Sequence, residues 1–240
     1  MGYIGSKTLF DMRFSWRLAV VIALCVVVCS AASLWLYAFA VERSSRTLLA
    51  DLIALRPGSS SGADVDKIVA THRRALQKKD CAADSCKYTF EITNRTLALL
   101  HLEPPSRFAA GMTVRQGKVE EIWAGLFRTM DIYPSFGASA GVVNDFAQVP
   151  ERYADKGHYI FPTPVGKPYL RVVVDELASP IERQRAFAFS FKCLTKVGGG
   201  CDLPCDYLPL AWSDWKADLQ RNGFPVSDFN RVYRDNQRCR

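Results

Sequence analysis

Six of the eight cysteines, Cys81, Cys86, Cys193, Cys201, Cys205 and Cys239, lie beyond residue 41, and they are the side chains best equipped for chemistry. Such a set can ligate zinc, exchange thiols or form structural disulfides, and spacing separates the three uses. Cys193, Cys201 and Cys205 follow a C-x7-C-x3-C pattern with no histidine nearby. Zinc sites favour closely spaced ligand pairs completed to a tetrahedron by Cys or His, and redox motifs favour C-x-x-C beside a βαβ unit. Neither pattern is present, so structural disulfides are the expected state, and neither metal nor cofactor is expected. The short loop from Cys81 to Cys86 is the easiest pair to propose. The other four cysteines would cross-link the C-terminal third, with Cys239 fixing its end, and spacing alone does not choose their connectivity.

The remaining candidates for chemistry are sparse. His72 falls on the apolar stripe of an expected helix, His101 ends an expected strand, and His158 follows Asp155 beside Tyr159 in an irregular segment. His158 is the best placed of the three for acid–base work. The chain contains no G-x-S-x-G elbow, no H-E-x-x-H and no glycine-rich phosphate loop. Glu120-Glu121 and Asp175-Glu176 are adjacent acids on expected strands, so the two members of each pair point to opposite faces and form no paired-carboxylate site. Asn94-Arg95-Thr96 fits the N-glycosylation pattern. Trp212 and Trp215 are expected to pack a helix on a sheet rather than to form a sugar platform.

The element that positions everything else is the apolar stretch 17–41. Residues 18–41 carry no charge, and about 20 mostly apolar residues suffice for a helix to cross a hydrocarbon core. Lys7, Arg13 and Arg17 oppose only Asp11 before it, which places the N-terminus in the cytoplasm. Trp35 and Tyr37 suit an interfacial anchor. A cleaved signal peptide is the rival reading, because Ala38-Phe39-Ala40 has the small-x-small form of a cleavage site, but the stretch is long for an h-region. Either way the remainder of the chain ends on the same side. Met1-Gly2 opens a loose myristoylation pattern that a spanning chain has little use for. Cys25 and Cys29 share one helix face and read as small apolar residues.

The 240 residues hold 31 Lys+Arg against 24 Asp+Glu, a formal charge of +7. The excess is scattered, with no basic run interleaved with aromatics, which suits a domain near an anionic surface and argues against nucleic acid. The expected organisation is a cytoplasmic tail at 1–16, a transmembrane helix at 17–41, a juxtamembrane helix and linker at 42–62, and an extracytoplasmic domain at 63–240.

Within that domain, Val65, Ile68, Val69, His72 and Leu76 predict a helix over 63–78, capped by Ser61 or Gly62. Tyr88, Phe90 and Ile92 alternate with polar residues as in a strand with one buried face. Residues 97–102 are a further strand candidate. Residues 108–115 and 118–127 flank Gln116-Gly117 as a hairpin. A strand is expected within 140–148, and two more at 169–177 and 185–194, the last burying Phe187, Phe189, Phe191 and Cys193. These two would pair antiparallel through Ser179-Pro180. A helix is expected at 209–219, and a short one from Ser227. The fold class is α+β: an N-terminal transmembrane helix, a helix, an antiparallel sheet of about five to seven strands and a C-terminal helix, stabilised by disulfides.

These features predict a single-pass membrane protein whose domain faces the periplasm or cell exterior. Its partners are the lipid bilayer, through residues 17–41, and a protein of the envelope bound without catalysis. The alternatives are an envelope thiol oxidoreductase using Cys201 and Cys205, a hydrolase using His158, and a structural subunit of a membrane complex.

Overall fold

A computed structural model describes residues 7–102, 105–128, 136–141, 158–160, 170–174, 178–196, 201 and 204–221. The chain divides into two compact units, Met1–Ala40 and Val41–Arg240. Helix α1, Lys7–Ala54, begins in the first unit. Its portion from Trp16 is long and apolar enough to cross a membrane, with a mean hydropathy of 2.6 in its most apolar window. A helix is the form such a stretch must take in lipid, because it satisfies its backbone groups internally. Ser33 Oγ follows the same rule and donates to the Cys29 carbonyl at 2.8 Å.

In the second unit, α1 continues as a core element. Val41, Ser45, Leu48, Leu49, Leu52 and Leu55 are buried, a stripe at helical spacing. The helix stops at Arg56-Pro57-Gly58, where Gly58 takes a positive φ of 78° and its N–H donates to the Val119 carbonyl at 2.7 Å. Helix α2, Gly62–Thr71, follows an N-cap at Ser61. The Asp64 carboxylate accepts from the Ser61 N–H and hydroxyl, each at 2.9 Å, and these bonds hold its pKa below the ordinary carboxylate range. This cap is therefore intact above the ordinary aspartate pKa and is lost only as pH falls through the lowered value.

The helix expected over 63–78 is seven residues too long at its C-terminal end. His72 caps α2, and Leu76–Cys81 is strand β1. Gln77 to Asp80 offers no apolar face for a helix to bury, whereas extended chain brings Cys81 directly opposite Cys86 on β2, Ser85–Thr93. Val65 and Ile68 keep their expected burial.

Residues 97–102 are likewise not a strand. Helix α3, Arg95–Leu99, starts after Asn94 and buries Leu97. Strands β3, Ser106–Arg115, and β4, Lys118–Arg128, form the expected hairpin. Gln116 and Gly117 both take positive φ, 50° and 75°, as a type I′ turn requires. The sheet continues through β5, Phe136–Gly141, β6, His158–Ile160, and β7, Leu170–Val174. Its order is β1-β2-β3-β4-β5-β7-β6. All pairings are antiparallel except β5 with β7, so the sheet is mostly rather than wholly antiparallel. Residues 142–148 of the expected fifth strand lie outside the described residues.

The strand expected at 185–194 is replaced by helix α4, Pro180–Ala186, an irregular stretch, and a 3-10 turn at Phe191–Leu194. Ser179 and Glu182 form a reciprocal capping box, and Pro180 sits at the first helical position. The Ser190 N–H goes to the Tyr207 carbonyl at 2.8 Å instead of to a strand. Phe187, Phe189, Phe191 and Cys193 are buried nonetheless. Phe108 meets Phe191 edge to face at 4.9 Å and Phe189 at 6.0 Å. Helices α5, Pro204–Tyr207, and α6, Pro209–Arg221, follow, and Trp212 of α6 is buried. Residues from Ser227 onward lie outside the described residues.

Replacing Phe108 by Ala should cost about 3–5 kcal/mol of stability. Ser179→Ala, which removes only a cap, should cost about 1 kcal/mol. Urea unfolding followed by tryptophan fluorescence measures both.

Candidate functional site

Strand alternation sorts the sheet into two faces. Phe90, Phe108, Met112, Ile122, Leu126, Ala138, Ala140, Val172 and Val174 line one buried face, and on the other Ala109, Thr113, Phe127, Ser139 and Val173 are buried as well. The opposite face carries a different chemistry, laid out in rows by the strand register. Arg107 lies opposite Phe127. The next row on that face is Glu91, Ala109, Gly125 and Gly137, and the one after it is Thr89, Gly111, Trp123 and Ser139. Rows on one face are about 7 Å apart, two residues of strand rise.

Two constellations stand on either side of the small-residue row. The Arg107 guanidinium lies 4.6 Å from the centre of the Phe127 ring and donates to Glu91 Oε2 at 3.2 Å. The half-buried Trp123 rests its indole on Gly111, where an added Cβ would overlap both the indole and the Tyr88 carbonyl oxygen. Ser139 is 1% exposed and its hydroxyl has no hydrogen-bond partner. A tryptophan on a glycine platform thus stands two rows from an arginine stacked on phenylalanine.

The cysteines lie elsewhere. Cys81 and Cys86 are within disulfide reach across β1 and β2, with Cα atoms 4.0 Å apart. Cys193 and Cys201 form a second pair, at 5.6 Å. Cys201 is thus joined to Cys193 and not to Cys205, which is itself disulfide-bonded. Cys239 lies outside the described residues, while Cys25 and Cys29 are free and exposed on α1.

The histidines are not brought together. His72 contacts Asp51 of α1 through Nε2 at 2.7 Å, which ties α2 to α1. His101 sits after α3, not on a strand, with a φ of 54°. His158 opens β6, and its backbone pairs with Val174; Asp155 lies outside the described residues. Glu120 pairs with Arg115 at 3.2 Å; the register shifts here, Thr113 facing Glu121 and Val114 facing Val119, so Glu120 is the extra residue of a bulge and the expected alternation of the two acids is interrupted. Asp175 and Glu176 lie outside the described residues. Asn94 is 1% exposed, and its Oδ1 accepts the Ser106 N–H at 2.9 Å, so the folded domain hides this sequon from glycosylation. Among the described residues no three metal-ligating side chains are grouped to hold an ion.

Compared with models of protein families, with curated proteins and with solved structures, the chain matches none. Arg107, Gly111 and Trp123 were not singled out by the sequence patterns. A glycine inside a strand does mark a place where something approaches closely, and Gly111 is that signal.

Gly111→Ala should destabilise the domain by about 1–3 kcal/mol through overpacking. In a double-mutant cycle with Trp123→Ala part of that cost should vanish, because the indole is one of the two groups a Cβ would meet. Additive costs would show that the two side chains do not share the site.

Proposed function

We propose that this chain is a single-pass membrane protein whose disulfide-stabilised domain lies in the periplasm or cell exterior and binds an envelope protein without catalysing a reaction. The basic residues before the span support this orientation, and the cysteine pairs suit an oxidising compartment. The contact surface is the part of this second sheet face that reaches solvent, and the observation that carries it is the half-buried Trp123 seated on Gly111, two rows from the Arg107–Phe127 stack. Trp, Phe and Arg are the types enriched where partners dock, because they combine large apolar area with directed polar contacts. The pairing of Cys201 with Cys193 weakens the oxidoreductase reading, which needs Cys201 joined to Cys205.

The test places a photo-cross-linking amino acid at Thr89, half-buried in the Trp123 row, in full-length protein in its native membrane. One discrete protein adduct is expected. It should disappear when Arg107→Glu and Trp123→Ala are combined, while both disulfides and membrane retention persist. Adducts formed from positions in the span but not from Thr89 would favour the membrane-complex subunit instead.

A further inference from the structure

Among the described residues of Val41–Arg240, the exposed large apolar side chains are Leu99, Leu100, Ile181 and Leu210. Leu99 and Leu100 are adjacent, 70% and 53% exposed, at the end of α3. The backbone that follows them ends the helix. Leu97 is buried, the Leu102 N–H donates to the Leu97 carbonyl at 3.0 Å, and the His101 N–H donates to the Ala98 carbonyl at 3.1 Å. This is a Schellman ending, and the left-handed position usually given to glycine is taken here by His101. Histidine is among the non-glycine residues that take this conformation more often than others.

Contacts along the sheet place α3 at a particular end of the domain. The Arg46 guanidinium lies 5.8 Å from the Phe191 ring centre, the Thr195 hydroxyl donates to Glu42 at 2.6 Å, and Phe191 packs on Phe108 near the start of β3. At the other extreme, Gly58 is bonded to Val119 beside the hairpin turn. The outer part of α1 therefore runs from the Phe108 end of the sheet to the hairpin end, and Val41 is at the Phe108 end. Helix α3 joins Thr93 to Ser106, residues of the last register pairs of β2 and β3, so it closes that same end. Val41 also ends the uncharged stretch. Exposed Arg95, at the start of α3, and exposed Arg43, two residues after Val41, add charge to this end of the domain that suits anionic headgroups.

We propose that α3 is a second, peripheral membrane contact, with Leu99 and Leu100 entering the boundary between headgroups and acyl chains of the bilayer that α1 crosses. The inference rests on reading residues 17–41 as a span. The test uses full-length protein carrying Cys25→Ser and Cys29→Ser, with one nitroxide at a time on Leu99→Cys, Leu100→Cys, Leu210→Cys or Val28→Cys, in nanodiscs containing anionic lipid. Power saturation compares collisions with oxygen, which partitions into lipid, and with a water-soluble nickel chelate. Oxygen should dominate at Leu99, Leu100 and Val28, and the chelate at Leu210. If Leu99 and Leu100 behave like Leu210 while Val28 is in hydrocarbon, the inference falls and the span stands. If Val28 itself reads as aqueous, the span reading falls and the peripheral contact falls with it.

Discussion

The burial of Leu48 and Leu52 of α1, and of Leu55 just after it, in the second unit is the constraint on which the domain depends. Each fully buried leucine contributes about 1.5–3 kcal/mol relative to exposure, and polar ties fasten the same segment to its neighbours. Asp51 meets His72 of α2, Glu42 meets Thr195 beyond the 3-10 turn, and Arg183 of α4 donates to the Leu55 carbonyl at 3.1 Å. Arg183 is only 6% exposed. Its charge is placed where a helix C-terminus presents unsatisfied carbonyls and partial negative charge, which offsets part of the cost of burial. The helix that carries the apolar span thus also supplies a core element of the second unit, Val41–Arg240.

How much of this was legible follows from which interactions decide each element. Local signals were sufficient at Ser61, at the Gln116-Gly117 turn and along Tyr88, Phe90 and Ile92, because capping, positive φ and one-sided burial are written in consecutive residues. They failed at 97–102 and 185–194. Alternating burial from Phe187 to Cys193 imitates a strand, yet it arises from an irregular chain packed on Phe108. The Ser179-Pro180-x-x motif with Glu182 was present to be read as a helix start and outweighs that alternation. The end of α2 is not legible locally, because Leu76 continues the helical spacing while the pairing of Cys81 with Cys86 draws the chain into β1.

The second sheet face was illegible for another reason. Gly111 and Trp123 are twelve residues apart and become neighbours only through the β3–β4 register. Likewise Arg107 reaches Glu91 across β2 and β3 and Phe127 across β3 and β4. Sequence spacing fixes neither pair until the hairpin is closed. The two described disulfides sit away from this face and act on the unfolded chain. Closing loops this short contributes about 2 kcal/mol each in the chain-entropy account.

The measurement that bears most directly on the central claim, that a membrane helix delivers this domain to an oxidising compartment, is differential alkylation in intact cells. Each cysteine peptide is read by mass spectrometry with and without prior reduction. The account predicts that Cys81, Cys86, Cys193, Cys201 and Cys205 take up the reagent only after reduction. Labelling of these cysteines as free thiols in untreated cells would put the domain on the cytoplasmic side and contradict it.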